Sequence, residues 1–148
     1  MARVRLQERV AWRTIQPSDI ASIGLRLRSH HGIQVFIGTV ANNEEAIALS
    51  DDLTELVNTA RWSQARPAIA FTYTGEQVIG LDIFATRDEP TRAAAHDLSR
   101  ELGRLKLSAP VTDTDRPGFV TGAGMYIRIG LRPRIGPLTT NNARTTSP

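Results

Sequence analysis

The chain of 148 residues contains no cysteine. This absence excludes disulfide frameworks, zinc–thiolate sites, iron–sulfur clusters and thiol nucleophiles. Histidine is nearly as scarce, with three residues, His30, His31 and His96. Adjacent side chains at a helix end point about 100° apart, so His30 and His31 do not form a chelating pair. No metal ion and no other cofactor is predicted.

Long apolar runs are also missing, and no uninterrupted stretch approaches the roughly 20 residues that cross a bilayer. The sequence starts with charged residues rather than with the apolar segment of a signal peptide. We therefore expect a cytoplasmic protein with no membrane insertion. The length favours one domain, which can bury a core without a disulfide or a metal.

Catalytic signatures are absent as well. Gly118, Gly122 and Gly124 superficially suggest a nucleotide-binding loop, but they precede a strand, whereas the dinucleotide fingerprint needs glycines that open a helix. Asp51 and Asp52 are most simply a solvated pair on a helix. No catalytic residue is predicted, and whether the chain is an enzyme stays open, with the balance against it.

Basic residues are concentrated at the two ends of the chain. Residues 1–30 carry six arginines against two acids, a net charge of +4, whereas residues 31–130 carry nine bases against thirteen acids, a net charge of −4. The last eighteen residues add three arginines and no acid. We interpret residues 1–12 as a basic arm, for which an inert, solvated role and an anion-binding role are both possible.

A strand, a polar turn and a helix occur in this order twice, at Gly32–Trp62 and at Gly80–Leu107, and a lone strand follows at Met125–Leu131. In each unit the spacing of apolar residues changes from two to three and four, as a strand followed by a helix requires. We expect one core under the two helices, formed by Val35, Ile37, Leu53, Ile83, Leu98, Leu102, Ile127 and Ile129.

A helix beginning at Pro17 precedes these units, and a further strand is predicted at Ala68–Tyr73, which gives one helix followed by β-α-β-β-α-β. One solution is a four-stranded, mostly parallel, Rossmann-like sheet in which the Ala68–Tyr73 strand lies at an edge. The alternative is the ferredoxin-like split β-α-β arrangement, which needs a hairpin at Thr74–Glu76. We favour the first, with an α/β domain over residues 13–135 and a disordered tail over residues 136–148.

Several short segments match a known family, namely Arg13–Ile15, Val35–Ile37, Glu45–Ala46, Ala60–Trp62, Gly80–Ile83 and Ile127–Pro133. In these segments the chain resembles a bacterial family of small α/β domains that has no assigned activity and often follows transmembrane or coiled-coil segments. Arg61 stands where the family has Gly, and the membrane segment is missing. Every matching residue is a core, cap or turn position, so the resemblance implies the fold and transfers no site residue.

The two turns that follow the predicted strands are candidate ligand-binding sites, because ligands of open α/β sheets bind beyond the carboxyl ends of strands. The candidate residues are Thr39, Asn42, Asn43, Thr86 and Arg87. Neither turn contains a glycine, and the acidic residues that follow would repel an anion, so ordinary helix capping is the competing interpretation.

The predicted edge strand offers another way to act. Ile69, Phe71 and Tyr73 recur at every second residue, and exposed strand edges favour pairing. The favoured function is therefore a non-catalytic interaction or regulatory module that forms a homodimer. A nucleotide- or metabolite-binding domain or enzyme is the second hypothesis. Nucleic-acid binding through the arginine arm is the third, since Trp12 is the arm's one aromatic residue and the domain is acidic.

Overall fold

The computed structural model describes residues 12–64, 69–71, 78–115 and 122–133. Its elements in chain order are α1 (Pro17–Leu27), β1 (Gln34–Val40), α2 (Glu44–Thr59), β2 (Ser63–Gln64), β3 (Ile69–Phe71), β4 (Leu81–Ala85), α3 (Glu89–Arg104), β5 (Val111–Asp113) and β6 (Met125–Ile129). A 3-10 turn, Arg28–His30, follows α1. The predicted arm up to residue 11, the predicted tail and Tyr73 lie outside the described residues.

Each helix begins at a local signal in the sequence. α1 has Pro17 in its first turn, where the missing N–H removes no helical hydrogen bond. The Asn43 side chain caps α2 by accepting a hydrogen bond from the Ala46 N–H at 2.9 Å. Asp88 caps α3 in the same way, accepting from the Thr91 N–H at 3.2 Å. Local signals therefore account for all three helix starts.

The strands form one mixed sheet in the order β2-β1-β6-β4-β5, and β3 pairs with β1 beyond the end of β2. Among these described strands, every neighbouring pair is parallel except β4 and β6. The predicted α/β class with a mostly parallel sheet is confirmed. β2 and β5 add to the predicted strands. Of these, β5 is three residues long, too short for a periodicity of two to show in the sequence.

The edge strand β3 lies parallel to the end of β1, with Ile69–Phe71 opposite Gly38–Val40. β1 and β6 separate β3 from β4 in the sheet. The ferredoxin-like alternative needs a hairpin between β3 and β4, so it is not the arrangement of the described residues. The Thr74–Glu76 turn that suggested it lies outside them.

One face of the sheet, which we call the helix face, packs against α2 and α3, and α1 lies against both helices. Its side chains are at most 3% exposed: Val35, Ile37, Leu81, Ile83, Ala85, Met125, Ile127 and Ile129. The eight residues predicted as the core all belong to this single buried cluster. Trp62 closes one end of the cluster, where its Nε1–H donates to the Leu27 carbonyl at 3.1 Å.

An ion pair fastens the segment before α1 to the domain. Arg13 donates from its backbone N–H and from Nε to Glu45 Oε2, at 2.9 and 2.8 Å, and from Nη2 to Glu45 Oε1 at 2.7 Å. The same Nη2 donates to the Gly130 carbonyl, just after β6. Farther along the segment, the Ile15 N–H donates to Asp52 Oδ2 at 3.1 Å. Arg13 and Glu45 thus have a structural role.

Candidate functional site

The five predicted ligand-binding residues do not lie together. Thr39 is beside Ile129, which is beside Leu81 at the start of β4, whereas Ala85 at the end of β4 is beside Met125 at the start of β6. The carboxyl ends of β1 and β4 therefore lie at opposite rims of the sheet, because β4 runs against β6. Four residues of strand, roughly 13 Å, separate the rims. The candidates form two separate groups.

The side chains at the β4 rim connect loops to one another. The Gly124 N–H donates to Thr86 Oγ1 at 3.0 Å, and the Thr86 hydroxyl also contacts the Asp88 carboxylate. Arg87 is exposed and pairs with the Asp115 carboxylate. These contacts join the turn after β4 to the segments before β6 and after β5. Thr86 therefore has a structural role at this rim, whereas Arg87 makes an exposed ion pair.

The electrostatics of Asp88 fit the capping role. Burial raises the pKa of this carboxyl, but hydrogen bonds from Thr86 and Thr91 outweigh the burial, and the net effect is a pKa below its ordinary value of 3.8. The carboxylate is thus stabilised in its charged form at the positive end of α3. Capping is the function that the contacts at this rim support.

The opposite rim holds a shallow cleft of about 300 Å³. It is lined by Trp12, Asn42, Asn43, Glu44, Glu45 and Arg132. Asn42 has a left-handed φ of 58°, a conformation that Asn adopts more readily than most residues. Thr39 is buried in β1 and does not line the cleft. The sequence could not predict the cleft as a whole, because Trp12 and Arg132 are distant in the chain and meet only through the topology.

The two edges of the sheet differ in character. At one edge, β3 consists of three uncharged residues. Ala70 is exposed, and its neighbours Ile69 and Phe71 are half-buried. At the other edge β5 ends in Asp113, which pairs with Arg92 of α3 at 3.6 Å. Charged side chains at a strand edge oppose pairing with a second sheet. By this criterion β5 is protected and β3 is not.

The face of the sheet opposite the helix face, which we call the aromatic face, is formed by Phe36, Gly38, Asp82, Phe84, Tyr126 and Arg128. Phe36, Tyr126 and Phe84 lie directly opposite one another on β1, β6 and β4. Ring centroids are 5.6 Å apart for Phe36 and Tyr126 and 6.0 Å apart for Tyr126 and Phe84. Phe36 is 4% exposed, whereas Tyr126 and Phe84 are half-buried. None of these rings belongs to the cluster under the helices.

Two further residues shape the aromatic face. Gly38 leaves room for Tyr126, since a Cβ at Gly38 would lie 2.6 Å from the tyrosine hydroxyl oxygen. Arg128 places its guanidinium carbon 4.9 Å from the centre of the Phe84 ring and donates from Nη2 to Asp82 Oδ2 at 2.9 Å. Burial raises the pKa of Tyr126, so its hydroxyl is neutral at physiological pH.

The sequence contains part of the signal for the aromatic face. Phe36, Phe84 and Tyr126 each follow or precede a predicted core residue, and alternation along a strand places them on the opposite side of the sheet. Their meeting in one row depends on the order β1-β6-β4 and on the register. Neither is encoded in local periodicity, so the row was not predicted.

One of the three histidines, His30, makes a structural contact. His30 Nε2 lies 2.6 Å from Asp97 Oδ2, which connects the turn after α1 to α3. His31 and His96 are exposed. In the ranges that the structure covers, no group of three or more His, Asp or Glu side chains could hold a metal ion.

The fold and its two faces define a small α/β domain with helices on one side of a mixed sheet. Comparison with protein-family models, curated proteins and solved structures gives no match to this chain. Among the described helices, none combines the length and the apolar content that a membrane span requires.

Proposed function

We infer that this chain is a non-catalytic interaction module that pairs with a second copy of itself through the β3 edge. The difference between the sheet edges carries this proposal: the Arg92–Asp113 pair protects β5, whereas Ile69–Phe71 has no charge. An uncharged edge offers backbone groups to another strand, and symmetric homo-oligomers are the commonest soluble assemblies. Ile69 and Phe71, two of the predicted interface residues, belong to this edge.

Pairing along the described residues of β3, Ile69–Phe71, supplies few backbone hydrogen bonds. Stable interfaces bury about 1,200–2,000 Å² in total. We therefore expect reversible dimerisation, with a dissociation constant in roughly the micromolar range or weaker.

Sedimentation over a wide range of concentrations tests the proposal. Ala70→Lys places a charge on the exposed central residue of β3, and Thr112→Lys does the same on the exposed central residue of β5. The first variant should be monomeric at every concentration with an unchanged unfolding midpoint, whereas the second should dimerise as the unaltered chain does. Phe71 is less suitable, because it packs against the buried cluster and a charge there would perturb the fold.

Two outcomes would contradict self-association through β3. One is a monomer at every concentration of the unaltered chain. The other is a dimer that Ala70→Lys and Thr112→Lys weaken equally, which would show that charge and not the β3 edge controls association.

The cleft beside Asn42 supports a second candidate function, the binding of a small ligand at the carboxyl end of β1. The cleft is concave, and an aromatic residue, Trp12, and an amide residue, Asn42, line it. Glu44 disfavours an anion there, so a neutral or cationic planar molecule is the class that fits.

Nuclear magnetic resonance titration with nucleosides and aromatic amines tests this second function. Binding should shift the indole signal of Trp12 and leave that of Trp62, which is buried and hydrogen-bonded to Leu27. Asn42→Gly keeps the left-handed backbone and removes the amide, so it should weaken binding without unfolding the chain. A Trp12 signal that no compound shifts would contradict this function.

The predicted family and the cytoplasmic location belong to the same proposal. The residues at the positions that carry the family resemblance have structural roles, such as the Arg13–Glu45 pair and the buried Trp62. Gly130 is a further case, since a Cβ there would lie 2.4 Å from the Val78 carbonyl oxygen. Shared residues of this kind build a scaffold, as expected for a module whose specificity lies elsewhere. Cell fractionation tests the location.

A further inference from the structure

The aromatic face contains side chains of the kinds on which the bases of single-stranded nucleic acids stack in their complexes with proteins. Tyr126 and Phe84 are half-buried, their ring planes differ by 21°, and the Arg128 guanidinium lies over Phe84. Unpaired bases stack on aromatic rings and on guanidinium planes with little dependence on sequence. We propose that the aromatic face binds single-stranded nucleic acid, with Tyr126 and Phe84 as the stacking surface and Arg128 beside them. This binding is independent of self-association through β3.

The distribution of acidic residues permits a polyanion at this face. Ten of the thirteen acidic residues in the described ranges lie within the three helices or cap them. The helices pack on the helix face, so the sheet separates these carboxylates from the aromatic face. Of the residues that form the aromatic face, Asp82 alone is acidic, and Arg128 compensates its charge at 2.9 Å. Most carboxylates of the described residues therefore lie on the opposite side of the domain.

The basic ends of the chain join the domain at one rim of this face. Trp12 and Arg132 line the same cleft, at the rim where β6 ends. The arginines beyond them at the two chain ends are Arg3, Arg5, Arg9, Arg134 and Arg144. These cations would add charge attraction to the stacking of bases on Tyr126.

Fluorescence anisotropy with labelled oligonucleotides of about 20 nucleotides, at about 50 mM salt, tests the proposal. Oligothymidine and oligouridine should bind more tightly than a duplex of equal length, with an affinity that falls as salt rises. Tyr126→Leu removes the ring and should weaken single-strand binding at least about fivefold. Tyr126→Phe keeps the ring and should bind as the unaltered chain does. Phe84→Leu is a second variant, and thermal unfolding confirms that each variant folds.

Ultraviolet crosslinking followed by mass spectrometry gives an independent readout, in which the attached nucleotide should lie on the peptide that contains Tyr126. Ala70→Lys should bind nucleic acid normally, because it alters only the β3 edge. Absence of single-strand binding at low salt would overturn the proposal. So would equal affinity for single strand and duplex with no effect of Tyr126→Leu, which would reduce the interaction to charge. Loss of dimers in Tyr126→Leu without any nucleic-acid binding would assign the face to contact between copies.

Discussion

The two faces of the sheet are built from alternate residues of the same strands, yet they differ in kind. On β6, Ile127 is completely buried under the helices, while its neighbours Tyr126 and Arg128 are half-exposed on the other side. On β4, Ile83 and Phe84 show the same division. The helix face stabilises the fold through apolar burial, and the aromatic face carries planar and charged groups, to which we assign the binding of nucleic acid. A change on the first should cost stability, and a change on the second should mainly cost binding.

The largest expected effect comes from removing volume under the helix face. Leu98 of α3 is completely buried in the core cluster, so Leu98→Ala should lower the free energy of unfolding by about 2–5 kcal/mol, the range for a buried leucine. Phe84→Leu on the aromatic face is the control and should cost less than about 1.5 kcal/mol, because it keeps most of the apolar volume. Urea unfolding measures both. Equal losses would remove the distinction between the faces.

A smaller loss should follow when the polar fastening on the helix side is broken. Arg13 and Glu45 are 9% and 6% exposed, so Glu45→Ala leaves a guanidinium that is shielded from water. Removing one partner of a fully buried pair costs about 3–5 kcal/mol, and we expect about 2–3 kcal/mol here because the rim is near solvent. The double variant Arg13→Met with Glu45→Met should recover most of the loss. Chemical unfolding of both variants checks this, and a double variant as unstable as Glu45→Ala would contradict it.

The helix face was largely predictable from sequence, and for a physical reason. Apolar spacing changes from two to 3.6 wherever a buried strand leads into a packed helix, so Val35, Leu53, Ile83 and Leu98 could be assigned to one core without a structure. The direction of each strand in the sheet, in contrast, could not be predicted. Nothing local in Leu81–Ala85 specifies that β4 runs against β6, because this depends on how a distant strand enters the sheet.

The candidate sites show the same limit more strongly. Asn42 and Thr86 lie in equivalent turns between a strand and a helix. Because β4 runs antiparallel to β6, the two turns lie at opposite rims of the sheet. The aromatic face needs three strands in register, and its rings come from positions that the helix pattern leaves aside. Caps such as Asn43 and Asp88 were predictable because their partners lie three residues away.

Two glycines sharpen the comparison at smaller energies. A Cβ at Gly38 would lie 2.6 Å from the hydroxyl of Tyr126, whereas a Cβ at Gly103 in α3 would meet nothing within 4 Å. Gly38→Ala should displace the Tyr126 ring and destabilise the fold by about 1–2 kcal/mol, because the ring end can shift in part. Gly103→Ala should stabilise α3 by up to about 1 kcal/mol. Thermal unfolding should give a lower midpoint for Gly38→Ala and a higher midpoint for Gly103→Ala.

The same pair of glycine variants connects stability to the aromatic face. Gly38→Ala should also reduce single-strand affinity, since it moves the stacking ring, while Gly103→Ala should leave affinity unchanged. A Gly38→Ala variant that binds with full affinity would show that the position of Tyr126 is not important for recognition.

The smallest effects concern two carboxyls on the helix side, whose pKa values move in opposite directions. Hydrogen bonding to Arg26, at 2.8 and 2.9 Å, lowers the pKa of Glu101 from its ordinary value of 4.5. Its stabilising contribution is therefore present above pH 4.5 and is lost as the pH falls through the lowered pKa. Burial raises the pKa of Asp52 from 3.8, so ionisation of Asp52 favours the unfolded chain, and stability is lost as the pH rises above that value.

Neutral variants of these two carboxyls should consequently have opposite effects at pH 7. Glu101→Gln should lower stability at pH 7, and its effect should shrink as the pH falls below 4.5, where the lowered pKa ceases to favour the folded state. Asp52→Asn retains an oxygen that can accept from the Ile15 N–H and should raise stability at pH 7, again with little effect at low pH. Unfolding midpoints measured from pH 3 to pH 8 separate the two. A loss of stability at pH 7 in both variants would show that the fixed geometry of each carboxylate matters more than its charge, because only a charge effect reverses sign between a lowered and a raised pKa.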